Sequence, residues 1–122
     1  MIALDTSALV RAFDGRLDAT TRMIHLQLAA NEVSLPPVVV AEVLSYPVNE
    51  ALADVIRDLP KLWIRPGYWV RAGNLRLSLR SAVLKAKLAD CLIAQSCIDH
   101  DIPLITYDRD FRHFERAGLK LA

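Results

Sequence analysis

The strongest constraint on the fold of this chain is an alternation. Short apolar runs of β-favouring residues occur at Ile2-Ala3-Leu4, Val33-Ser34-Leu35, Leu62-Trp63-Ile64 and Pro103 to Tyr107. Longer stretches with helical patterning separate them. Thr6-Ser7 can cap a helix that runs to Gly15, and Asp18 opens one that continues to about Asn31. Val38-Val39-Val40 favours a strand by propensity. Pro37 nevertheless suits a first helical turn, and Ala41 to Leu44 are helix formers, so a helix is expected from about 37 to 45. Asn49 caps a helix through Leu59, another spans roughly 68–82, and Leu88 to His100 forms a clear one. Phe111 to Ala117 ends on a Gly118 C-cap, and Leu119-Lys120-Leu121 reads as a last edge strand. Strands alternating with helices imply parallel βα units. The expectation is an α/β domain of three layers, α/β/α, around a central, mostly parallel sheet of four to five strands.

The whole chain, 1–122, reads as one domain, with no internal repeat and no linker. Hydrophobic residues make up 53%, which excludes disorder and suggests a face covered by a partner or a second subunit. Net charge is +1, so nucleic-acid binding would have to rest on local clusters of basic residues. Cys91 and Cys97 fall on different faces of one helix, which suits two reduced, buried thiols rather than a disulfide or a metal site. The start, MIALD, has no basic n-region, and no apolar run reaches the ~18 residues of a membrane span. A soluble, cytoplasmic protein without membrane contact is expected.

Sites on open parallel sheets form outside the carboxyl ends of the strands, where strand order reverses. Two strands here end in acid: Ile2–Leu4 in Asp5, and the run from Leu104 in Asp108. If they are neighbours, both carboxylates open into one crevice. Glu42 interrupts VVVAEVL and Asp90 interrupts KLADCLIA. An unpaired buried carboxylate costs several kcal/mol. Each therefore faces solvent, caps a helix or belongs to a site, and Asp90 could simply complement a helix dipole. Carboxylates sharing a crevice repel one another, and a hard divalent cation, Mg2+ or Mn2+, removes the conflict. His25, His100 and His113 are scattered, so no softer metal competes. Water on such a cation points to phosphodiester hydrolysis.

The stretches IALDTSALV, PVVVAEVL, KLADCLIAQS and PLITYDRDF, in that order, resemble the four acidic motifs of the PIN-domain nucleases, above all the VapC-type toxins of bacterial toxin–antitoxin pairs. The resemblance spans nearly all of the chain. It implies a Mg2+- or Mn2+-dependent endoribonuclease, with Asp5, Glu42, Asp90 and Asp108 as the metal-binding and catalytic acids. It makes Thr106 a hydroxyl that orients water or a carboxylate, Asp110 an extra acid beside the site, and Ser7 a small hydroxyl next to the first Asp. It also implies a homodimer and a cognate antitoxin whose tail blocks the crevice. Ser78 to Lys87 is the segment least like the family.

An RNA substrate must be held as well as cut. Arg71, Arg76, Arg80, Lys85 and Lys87 form a locally basic run, with Arg76 and Arg80 one helical turn apart. Arg11 and Arg109 follow the first and last motifs. These arginines are candidates for phosphate contacts, against the ordinary alternative of a solvated face. Trp63, Tyr68 and Trp69 are expected in the core or an interface. Two other classes compete. An aspartate-based phosphoryl-transfer domain also places acids at strand ends, but Thr6-Ser7 after Asp5 departs from the D-x-D-x-T signature. A non-catalytic RNA- or protein-binding module of the same fold needs no intact acids, yet all four are present.

Overall fold

The computed structural model describes all residues, 1–122. β1 (Ile2–Leu4) lies between β2 (Val33–Ser34) and β3 (Leu104–Ile105), and both neighbours run parallel to it. Ala3 stands opposite Ser34 on one side and Leu104 on the other, and Leu4 is opposite Ile105. Consecutive strand residues point to opposite faces. Ala3 and Leu4, Val33 and Ser34, and Leu104 and Ile105 are all buried, so both faces of the sheet are covered. The layers of the α/β fold are thus in place.

The sheet has three strands, fewer than the four to five expected. The two outer runs each contribute a single bridge, Leu35 with Lys61 and Leu104 with Leu121. Leu35 N–H donates to the Pro60 carbonyl and Leu62 N–H to the Leu35 carbonyl, both at 2.9 Å. Beyond that, Trp63 and Ile64 are 60% and 40% exposed, and the Trp63 carbonyl accepts from His100 Nε2 instead of a strand. The apolar run 62–64 has only one residue to bury, Leu62, so hydrophobicity did not make a strand of it. At the other edge, β3 offers only Leu104 to the terminal segment, through bonds from Leu104 N–H to Lys120 O and from Ala122 N–H to Leu104 O.

The helices fall close to their sequence signals. α1 (Thr6–Ala12) starts after Asp5, whose carboxylate takes the capping role expected of Thr6-Ser7. α2 (Ala19–Ala29) opens with a capping box between Asp18 and Thr21. It buries Ile24 but leaves Leu26 exposed, so its oily side is narrower than its composition suggests. α3 (Pro37–Leu44) confirms helix over strand at the valine run, with Pro37 at its start and Val39 and Val43 turned inward. α4 (Glu50–Asp58) is capped by Asn49. α5 (Tyr68–Ser81) follows Gly67, and α6 (Leu88–His100) packs along it. The last helix, Arg109–Ala117, is a 3-10 helix capped by Asp108, not an α-helix beginning at Phe111. It turns Phe111 and Phe114 into the core and ends on Gly118, whose φ of 105° lies in the left-handed region.

Tyr68 is buried, but Trp63 and Trp69 are about two-thirds exposed, so neither tryptophan belongs to the core of this chain. Cys91 and Cys97 are free and buried. No helix is long and apolar enough to cross a membrane.

Candidate active site

β1 is central and its neighbours are reached in opposite directions, so strand order reverses beside it. The register that pairs Leu4 with Ile105 sets Asp5 beside Thr106. A cleft of about 530 Å³ opens there, lined by Asp5, Thr6, Glu42, Lys87, Asp90 and Asp108 among others. Four carboxylates separated widely in sequence, from the end of β1, from α3, from the first turn of α6 and from the loop after β3, therefore share one opening.

Their surroundings differ. Asp5 is almost wholly buried. Its Oδ1 accepts from Ala8 N–H at 2.9 Å and from Ser7 Oγ at 2.7 Å, and its Oδ2 accepts from Thr106 Oγ1 at 2.5 Å. Burial pushes its carboxyl above the ordinary range, and these three bonds offset part of the rise. A carboxylate has about four acceptor positions, so Asp5 has about one to spare. Glu42 Oε1 accepts from Thr6 Oγ1 at 2.9 Å, and Asp108 Oδ1 accepts from Asp110 N–H at 2.9 Å. Each has a second oxygen with no protein donor. Asp90 is pushed up to about 6, first by desolvation and then by the charges of Asp108, Glu42 and Asp5; nearby Lys87 offsets this only in part, and no hydrogen bond assists.

Thr106 connects the strand end to the following loop. Its hydroxyl donates to Asp5 and accepts from Asp108 N–H at 2.9 Å. Ser7 Oγ donates to Asp5 and accepts from Tyr107 N–H at 3.0 Å. Both hydroxyls thus hold the backbone that carries one acid to the carboxylate of another. Asp110 points elsewhere: its Oδ2 lies 3.2 Å from Lys85 Nζ, and it does not line the cleft.

The candidate phosphate-binding arginines are dispersed. Arg11 lies over the Tyr107 ring at 4.6 Å, with Nε 3.5 Å from Asp18, outside the cleft. Arg76 donates to the Ala86 carbonyl and, with Arg80, lines a separate groove of about 560 Å³. That groove includes Leu88, next to Lys87, so it adjoins the acids across the first turn of α6. Arg109 lines a third groove, which meets the cleft at Asp108. Lys87, named from the sequence only within the basic run, lines the cleft itself, whereas Thr6 was not singled out as a site residue. The signal for Thr6 was present in Thr6-Ser7: consecutive hydroxyls in a first helical turn diverge, one toward Glu42 and the other toward Asp5.

No three acid, His or Cys groups converge closely enough to ligate one ion directly. Asp5, Glu42, Asp90 and Asp108 all line one opening, without a His or Cys among its lining residues. That fits a hard cation that keeps several of its waters and takes few direct protein ligands.

A family model described as the PIN domain matches residues 2–117. The chain belongs to the PIN-domain family. Its fold is similar to that of a chain in the crystal structure of VapBC2 from Rickettsia felis bound to a DNA fragment from their promoter. That match has a TM-score of 0.76 and 23% sequence identity, covering 100% of this chain and 98% of that one. At that identity the likeness concerns the fold. No curated protein gives a match. The PIN membership suggested by the four sequence motifs is therefore upheld.

Proposed function

We propose that this PIN-domain protein is a Mg2+- or Mn2+-dependent endoribonuclease, and that it is the VapC-type toxin of a toxin–antitoxin pair. The observation that carries the reading is the common opening of Asp5, Glu42, Asp90 and Asp108. Family membership and the fold shared with a chain of the VapBC2 complex support it. A cognate antitoxin, a homodimeric state and a cytoplasmic location belong to the same proposal.

The roles follow from the surroundings of each acid. Asp5, fixed by three donors, sets the position around which the others gather and has about one acceptor position to spare. Asp90 and Asp108 would hold the cation with it, directly or through water. When bound, the cation lowers the pKa of water and offsets charge on phosphoryl oxygens. Glu42, steadied by Thr6, ligates through its free oxygen or accepts the proton of the attacking water. Ser7 and Thr106 keep Asp5 and the Asp108 loop in register. Lys87, at the mouth, attracts the phosphate and reduces repulsion between acids and substrate. In-line attack of this kind leaves a 5′-phosphate and a 3′-hydroxyl.

The test is end-mapping of total RNA after incubation with the purified protein and Mg2+ or Mn2+, beside Asp5→Asn. The wild type should yield discrete 5′-phosphorylated ends and Asp5→Asn none. Equal cleavage by a folded Asp5→Asn protein overturns the assignment.

A further inference from the structure

The 3-10 geometry of the last helix has a consequence for what the surface can bind. In a 3-10 helix, residues three apart eclipse one another, whereas in an α-helix they drift around the axis. Arg109, Arg112 and Glu115 are spaced by three in this helix, and all three line one groove of about 530 Å³. Its floor includes Leu104, and its mouth carries Asp108, which also lines the acidic cleft. The row of arginines therefore leads away from the proposed reaction centre.

The two arginines also lack partners. Eight of the other thirteen lysines and arginines have an ion-pair or hydrogen-bond partner: Arg11 with Asp18, Arg16 with Asp14, Arg57 with Asp54, Arg71 with Asp99, Lys85 with Asp110, Lys120 with Asp101, Lys61 with the Ile56 and Arg57 carbonyls, and Arg76 with the Ala86 carbonyl. Arg109 and Arg112 form no ion pair or hydrogen bond, though they are aligned side by side at roughly 6 Å along the axis. Like charges held in line repel, and an anion between them reverses the sign. That rise is close to the distance between successive phosphates of an extended strand.

We propose that this groove is a phosphate subsite that holds single-stranded RNA beyond the scissile bond, with Arg112 and Arg109 contacting the backbone. The inference rests on the endoribonuclease reading for the direction of the strand, since the groove meets the acids at Asp108. Glu115 ends the positive row and limits it to the two arginines. Arg112 was not marked by the sequence, because the last helix was expected to begin only at Phe111, which left Arg109 outside it.

The probe is a labelled single-stranded RNA about 12 nucleotides long, titrated in EDTA over a range of salt concentrations. Without metal the measurement reads binding alone, so it stands whether or not the protein cleaves RNA. Each phosphate contact contributes about 0.7 to the slope of log Kd against log salt for a single strand. Arg112→Ala should lower the slope by about 0.7, the Arg109→Ala/Arg112→Ala pair by about 1.4, and Arg112→Lys should retain it. Arg22→Ala, an exposed arginine on α2, is the control and should leave the slope as in the wild type. An unaltered slope for Arg112→Ala overturns the subsite, as does an equal loss for Arg22→Ala, which would mean diffuse attraction. Poly-glutamate that binds more tightly than the RNA, with the Arg112 dependence confined to it, also overturns the proposal in favour of an acidic protein ligand. A protein that cleaves RNA yet shows no Arg112 effect loses the subsite and keeps the nuclease reading.

Discussion

Asp90 and Asp99 sit at opposite ends of α6 and have opposite fates. Helix electrostatics favour an acid in the first turn and disfavour one in the last. The molecule reverses that order. Asp90, in the favoured turn, is crowded by Asp108, Glu42 and Asp5, and its carboxyl is pushed up to about 6. Burial alone would raise Asp99 too, but hydrogen bonds from Arg71 and Gln95 outweigh it and hold the carboxyl below the ordinary range. Arg71 grips both Asp99 oxygens, at 3.0 and 2.6 Å, and also donates to the Pro66 carbonyl. The helix dipole is thus overruled at both ends by what neighbouring elements supply. An acid that holds two helices together is given donors; the acids of the cleft are left with oxygens to spare.

The largest expected effect separates these two roles by activity. Asp90→Asn removes a charge from the cleft while breaking no hydrogen bond. Metal-dependent RNA cleavage should fall at least about 10²-fold, with the thermal midpoint kept or raised. Asp99→Asn should do the reverse: a lower midpoint, with cleavage per folded molecule close to wild type. Cleavage rates and melting curves on the same preparations check both. Equal loss of activity in the two variants would erase the functional distinction between the ends of α6.

That distinction was only half legible in the sequence. Asp90 stood out because a lone acid in KLADCLIA needs a reason, and Asp5 and Asp108 because they close apolar strands. The parallel α/β plan followed from alternation, and α3 from the proline before its valines. Asp99 raised no question, since an acid near a helix end looks solvated; its partner, Arg71, lies on another helix, and no local pattern announces the pair. Arg71 was instead grouped with the basic run. The same limit applies to Thr6, whose partner Glu42 is distant in sequence, and to the outer strands, where pairing depends on what lies alongside. Periodicity reports burial and turn chemistry; it does not report which distant group completes a bond. Nor does it distinguish an α-helix from a 3-10 helix over RDFRHFERA, where the register decides whether Arg109 and Arg112 are eclipsed or offset on a shared face.

Next in size is the cost of removing Arg71. Its side chain is partly exposed, but that of Asp99 is only 8% exposed, so Arg71→Ala strands a largely buried charge with Gln95 alone. The expected loss is one of stability, read as a lower denaturant midpoint at constant m. Replacing both partners, Arg71→Met with Asp99→Leu, should recover most of it, because the stranded charge disappears. A double variant as unstable as Arg71→Ala would show that packing of the arginine stem, not the ion pair, joins α5 to α6.

Gly67 tests the same pair through the backbone. Its φ is +83°, and a Cβ there would lie 2.7 Å from Arg71 Nη1. Gly67→Ala incurs about 1 kcal/mol for the left-handed conformation and, in addition, displaces the guanidinium from Pro66 and Asp99. The second part should vanish in an Arg71→Ala background, leaving only the backbone cost. If the Gly67 penalty is the same in both backgrounds, the guanidinium accommodates the methyl group and the pair is less tightly held than its geometry implies.

The smallest effect is the pH dependence of stability in the metal-free protein. The Asp90 carboxyl is pushed up to about 6 in the folded protein, above the ordinary 3.8 it has in the unfolded chain. Between those values the folded state retains a proton that the unfolded state has lost, so stability falls as pH rises from about 4 to 6 and levels off above. Screening across an open cleft reduces the change to the order of 1 kcal/mol, a few degrees in the thermal midpoint. Asp99 has the opposite sign: its contribution is present above its unfolded value and is lost as pH falls through its lowered one. In EDTA the wild type should therefore become more stable on mild acidification from neutrality, before the loss of the Arg71–Asp99 pair reverses the trend. Asp90→Asn should show a smaller rise, the remainder coming from Asp5, whose buried carboxyl is also raised, and should keep the reversal; Asp99→Asn should keep the rise and blunt the reversal. Millimolar Mg2+ or Mn2+ should flatten the wild-type rise by favouring the ionised cleft and leave Asp90→Asn nearly unaffected. A rise as large in Asp90→Asn as in the wild type would assign the titration to another carboxyl, such as Asp5, and remove Asp90 as the acid under strain in the cleft.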